Sequence, residues 1–121
     1  MGDYVYSERQ AELLKTSKGY QHATSLNSIL DRLLADPNEI TTQNMNRINT
    51  TLNALLDEIL LMEKMSPLVS VDLGKMYFGI ESRLRELHMT QKNKFVQAVN
   101  NMQQVDKTAF KKVLYSAGID I

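Results

Sequence analysis

The chain has no cysteine and no tryptophan, and only two prolines, Pro37 and Pro67, in 121 residues. The missing cysteine excludes disulfides, thiolate nucleophiles and cysteine-rich zinc sites. It suits an intracellular protein, although many exported proteins share it. The longest uninterrupted apolar run is Ile59-Leu60-Leu61-Met62, against the ~20 residues that a membrane-spanning helix needs. The N-terminal stretch Met1-Gly2-Asp3-Tyr4-Val5-Tyr6-Ser7-Glu8 has neither a basic nor an apolar region, so no signal peptide is expected. Met1-Gly2 would suit myristoylation, but Tyr6 stands where Ser or Thr belongs. The expected location is intracellular, in the cytoplasm or within a macromolecular assembly.

An excess of charge of one sign is also lacking. Lys plus Arg and Asp plus Glu are balanced at 14 each, so no global field draws the chain to nucleic acid or to an anionic membrane. The distribution is uneven. Residues 1–62 carry 5 basic and 8 acidic side chains, and residues 63–121 carry 9 and 6, giving nets of −3 and +3. Such an asymmetry suits head-to-tail association.

What the chain does have is helical periodicity. Met45, Ile48, Leu52, Leu55, Ile59 and Met62 recur at alternating spacings of three and four, so they form one seam of a long helix. Asn44, Asn46, Arg47, Asn49, Asn53 and Asp57 cover most of the remainder. The prolines divide the chain into three blocks. In residues 7–35, Ser7 and Gln10 form a capping box with Tyr6 as its apolar staple, and Thr16-Ser17-Lys18-Gly19 predicts a break or bend. Ala35-Asp36-Pro37-Asn38 is a turn. The heptad helix starts at a Thr41 or Thr42 cap, runs to about Lys64 and ends at Ser66-Pro67.

The third block starts from a cap at Ser70 or Asp72, with Leu73, Met76, Tyr77, Ile80, Leu84 and Leu87 on one face. Gly74 and Gly79 within it mark either a close helix approach or a break. Thr90 caps a continuation through Phe95, Ala98, Val99, Met102 and Val105; Asp106 caps a last short helix; Gly118 ends it. The pattern predicts a single all-α domain over residues 1–121. It is a small bundle of four to six helices, with two long antiparallel ones at roughly 42–64 and 71–104.

Little in the chain nominates chemistry. His22 and His88 have no second ligand at metal-binding spacing, and Glu86 and His88, two apart, point to different helix faces. Asp31, Asp57 and Glu58 lack the Glu-x-x-His motif of a helical di-metal site. Gly74-Lys75 lacks the other residues of a phosphate loop. No nucleophile has a matched base, so neither enzymatic activity nor a cofactor is expected.

Two clusters point to partners. Leu60 and Leu61 lie off the heptad seam, which leaves the end of that helix apolar all round, and such a helix is buried all round. Leu56, Leu60, Leu61, Met65 and the tail Ile119–Ile121 are therefore the expected contacts with a protein partner, a second copy or a subunit of a larger assembly. Most of the six internal methionines, Met45, Met62, Met65, Met76, Met89 and Met102, sit on apolar faces as core filler or adaptable contact. The other cluster is basic. Arg83, Arg85, Lys92, Lys94, Lys107, Lys111 and Lys112 are opposed only by Glu86 and Asp106 over residues 82–112, a net of +5. It offers the alternative reading, a nucleic-acid-binding helical protein, against solvated outer helix faces. The expected role is that of a non-enzymatic structural or interaction protein (a small assembly subunit, adaptor or chaperone-like protein) acting through apolar helix faces.

Overall fold

The computed structural model describes residues 2–121, with side chains from Glu8 onward. Among these residues six α-helices follow one another: α1 (Gly2–Thr16), α2 (Lys18–Ala35), α3 (Thr42–Met65), α4 (Pro67–Thr90), α5 (Lys92–Asn100) and α6 (Gln104–Ser116). A short 3₁₀ turn, Pro37–Glu39, joins α2 to α3. The architecture is the all-α bundle expected, and the long antiparallel pair is α3 with α4, joined by Ser66 alone. At 24 residues each, they are rods of about 36 Å.

Local chemistry accounts for most boundaries. Ser17 separates α1 from α2: its hydroxyl accepts from the Tyr20 amide at 3.1 Å and donates to the Leu14 carbonyl at 2.7 Å. Asp36 caps the 3₁₀ turn by accepting from the Asn38 amide at 3.0 Å. Thr41 caps α3 by accepting from the Asn44 amide at 3.2 Å. At the far end of α6, Gly118 takes φ +87°, a left-handed conformation that suits glycine. The Ile119 amide then reaches back to the Leu114 carbonyl (2.8 Å) and the Gly118 amide to Tyr115 (3.0 Å), which is a Schellman turn.

Four sequence expectations are corrected. The Ser7 capping box does not start a helix, because α1 already begins at Gly2; the side chains of Tyr6 and Ser7 lie outside the described residues. Helix α4 starts at Pro67, not at Ser70 or Asp72. Proline lacks only an amide that the first turn leaves unpaired anyway, and the Ser70 hydroxyl instead donates across the hairpin to the Ile59 carbonyl at 2.9 Å. The long 71–104 helix is interrupted at Gln91, and Thr90, the supposed cap, turns its hydroxyl back to the Glu86 carbonyl at 2.9 Å. Asp106 lies inside the first turn of α6, where its charge complements the helix dipole, and Gln103 takes the cap position.

The core is one cluster drawn from α2 to α6 and the tail, with Leu14 of α1 packed against it. Leu26, Leu30 and Leu33 of α2 meet Met45, Ile48, Leu52 and Leu55 of α3 and Leu73, Ile80, Leu84 and Leu87 of α4, all fully buried. Phe95 and Phe110 bring α5 and α6 onto the same cluster. Gly19 lets α2 start close against the hairpin. A Cβ at Gly19 would lie 2.5 Å from Cδ1 of Leu73 and 3.3 Å from Cβ of Glu58. Gly74 and Gly79 do neither of the things expected of them: α4 passes unbroken through both, and a Cβ there would meet nothing within 4 Å.

Candidate interaction surface

The start of α2 sets where the surface lies. Gly19 sits level with Glu58 of α3 and Leu73 of α4, so the last two turns of α3 and the first turns of α4 run on past the end of α2. The heptad seam reflects this: Met45, Ile48, Leu52 and Leu55 are fully buried, whereas Ile59 and Met62 are only partly so. Over the projecting end lies α1. Its Gln10 amide meets the Asp72 carboxylate at 3.4 Å, and Leu14 is half-buried against the core.

One helix cannot cover both sides of a hairpin. Among the described residues ten large apolar side chains are exposed, and six of them (Leu13, Leu60, Leu61, Met65, Leu68 and Val71) belong to the α1–α3–α4 end. Leu60 is 59% exposed and Met65 70%. Two neighbouring clefts open there. One, of about 350 Å³, is walled by Arg9, Leu13, Met65 and Leu68. The other, of about 520 Å³, is walled by Ala11, Leu14, Leu68 and Val71, with Asp72 and Lys75 at its edge. A grouped apolar patch rimmed by charge marks an interaction site far better than scattered apolar residues do.

Of the contacts read from the sequence, Met65 walls one of these clefts, Leu60 and Leu61 are exposed on the last turns of α3 outside both, and Leu56 is half-buried on the same helix. The tail is not part of this surface. Ile119 is a core residue, 2% exposed, because the Schellman turn folds the chain back; Ile121 packs against the same core. Leu13, Leu68 and Val71 were missed. Leu13 and Leu68 have no periodic partner within their own helices' core stripes, and Val71 alternates with polar neighbours.

The basic residues are not gathered on one face. Arg83 turns to α2, donating to Asn27 Oδ1 at 2.9 Å and pairing with Asp31. Arg85 turns to the end of α6, donating to the Ala117 carbonyl at 2.7 Å. Lys94 reaches Asn38 of the 3₁₀ turn at 3.4 Å. Lys92 is exposed on α5 and Lys107 half-buried on α6. Lys111 and Lys112 line a cleft with Tyr115 and Ile121.

Among the described residues no three His, Cys, Asp or Glu side chains cluster as a metal site. His88 stands edge-on to Phe95 with ring centroids 5.4 Å apart, and its covered Nε2 has no hydrogen-bond partner. Glu81 is buried in α4, and burial raises its pKa above the ordinary 4.5 while the Arg85 charge pulls it down. Tyr77 is pushed up to about 12 by burial and then by the Glu81 charge. No described helix is long and apolar enough to cross a membrane. No protein-family model, curated protein or solved structure matches this chain.

Proposed function

We propose that this chain is a non-enzymatic assembly subunit that works by docking the apolar end of its α3–α4 hairpin onto protein, in the first place onto further copies of itself. The observation that carries this reading is the grouping of Leu13, Leu60, Leu61, Met65, Leu68 and Val71 at one end of the bundle, beside two open clefts. Burying such side chains contributes about 1.5–3 kcal/mol each when complete. Water therefore works against leaving them uncovered.

The rim favours self-association. Arg9, Asp72 and Lys75 line the two clefts, and Glu12, Glu63 and Lys64 are exposed on the neighbouring turns of α1 and α3. A rim of mixed sign can meet a copy of itself, whereas a rim of one sign would repel it. The role implied is structural: the charged rim sets register and the apolar centre supplies affinity. The setting implied is a macromolecular assembly inside the cell.

The test is the double variant Leu60→Ser/Leu61→Ser, compared with the unchanged chain by light scattering and circular dichroism. Both side chains are exposed, so helicity stays the same while the oligomer dissociates. An oligomer of unchanged mass in the variant rules out this end of the bundle as the assembly surface.

A further inference from the structure

Helix α4 is apolar on two opposite faces, and only one of them meets the core. At about 100° per residue, Leu73, Ile80, Leu84 and Leu87 fall on one side, and all four are fully buried. Its four large exposed apolar residues, Leu68, Val71, Phe78 and Met89, lie on the other side. Val71, Phe78 and Met89 share an arc of only about 20°. Phe78 is 71% exposed and Met89 81%. Between them lie Lys75, Gly79 and Ser82, so the seam offers one large knob beside a flat place. Nothing lies within 4 Å of the position a Gly79 Cβ would take.

Building on the assembly reading, we propose that two copies of the chain pack through this outer face, α4 against α4 in antiparallel orientation, about a twofold axis near residue 80. A twofold contact of this kind pairs residues whose numbers sum to a constant, and it brings like sides of the two helices together. Sums of 160 to 161 satisfy the seam. Val71 meets Met89 of the second copy, apolar on apolar. Phe78 meets Ser82, beside Gly79, large on small. Lys75 meets Glu86, positive on negative; both are exposed, and neither forms an ion pair among the described residues. Lys75 and Glu86 stand eleven residues apart, about 16 Å along their own helix, so they cannot satisfy each other within one chain. The complementarity suits a second copy in this register. Contact along one helix pair is at the small end of specific interfaces, below ~1,200 Å² in total, the size of weak or transient contacts.

The experiment is sedimentation equilibrium between 1 and 200 µM on the full chain and five variants, with circular dichroism as the check on folding. Phe78→Asp changes an exposed side chain, stays helical and raises the dissociation constant at least roughly a hundredfold. Lys75→Glu alone and Glu86→Lys alone each weaken the dimer roughly fivefold by setting like charges opposite one another in two symmetric places. The doubly exchanged Lys75→Glu/Glu86→Lys restores it. A dimer indifferent to Phe78→Asp, or a double exchange that fails to restore what the single ones lose, overturns the proposal. So does an unchanged chain that stays monomeric at 200 µM. Assembly that survives Phe78→Asp but is lost in Leu60→Ser/Leu61→Ser overturns this contact and leaves the hairpin-end reading standing. Loss in Phe78→Asp with Leu60→Ser/Leu61→Ser unaffected does the reverse.

Discussion

Arg85 donates from its Nη1 to the carbonyl oxygen of Ala117 at 2.7 Å, tying the C-terminal half of α4 to the end of α6. The bond falls where the Schellman turn begins, and the turn seats Ile119 in the core. Arg85→Ala removes a charged donor from a partly covered carbonyl, at a cost of about 1 kcal/mol. The Ile119 amide, bonded to Leu114, then exchanges its hydrogen roughly fivefold faster, whereas the amides of α3 keep their protection. Amide exchange followed residue by residue by NMR checks both statements.

Two glycine substitutions should move stability in opposite directions. Alanine is the better helix former, so Gly74→Ala, into open space, stabilises by about 0.5–1 kcal/mol. At Gly19 the new methyl group would sit 2.5 Å from Leu73 Cδ1 and 3.3 Å from Glu58 Cβ, and Leu73 is fully buried, so its side chain must shift within the core. Overpacking there outweighs the helix gain and destabilises by about 1–3 kcal/mol. Urea denaturation midpoints of the two variants separate the effects.

Glu81 sets a pH dependence. Burial raises its carboxyl pKa in the folded chain above the ordinary 4.5, with Arg85 opposing. The folded state therefore holds the proton more tightly than the unfolded one. The stabilising contribution is complete below 4.5 and is lost as pH rises through the raised value. Glu81→Gln cannot ionise, so its denaturation midpoint relative to the parent should climb from pH 4 to pH 7. A constant difference over that range would show that Glu81 ionises as freely folded as unfolded.

Ile119 and the pair Leu60/Leu61 look alike in the sequence, as surplus apolar residues outside the main stripes, and the structure parts them. Ile119→Ala opens a cavity beneath the tail and costs about 2–4 kcal/mol. Leu60→Ser/Leu61→Ser touches exposed side chains and changes monomer stability by no more than about 0.5 kcal/mol per site. Thermal unfolding at low protein concentration, where association does not contribute, distinguishes them.

The same contrast shows what could be read from the residues. The seam from Met45 to Leu55 was legible because one periodic stripe facing one core is the strongest pattern a helix can carry. The break within Thr16–Gly19 was legible from the interrupted apolar pattern and that at Pro37 from turn chemistry. The start of α4 was not, because Ser66-Pro67 reads both as the end of α3 and as a cap followed by proline at the first helical position, and the tight hairpin with its Ser70–Ile59 bond goes with the second. The break at Gln91 was legible to within one residue as a Thr90 cap, but the apolar stripe that resumes in α5 with Phe95 and Val99 joined the two helices into one rod. On the surface, Leu60, Leu61 and Met65 stood out as surplus. The outer seam of α4 escaped notice because two opposite apolar faces cancel each other's periodicity. The basic cluster was compact in sequence, yet Arg83, Arg85 and Lys94 serve three different contacts in space.

The central claim is that this chain works by association, and its mass in solution tests that most directly. Light scattering across 1–200 µM should show a weight-average mass rising from the 13.8 kDa of one copy toward twice that value or more, with the midpoint in the micromolar range. A mass that stays at 13.8 kDa to the top of that range would contradict self-assembly.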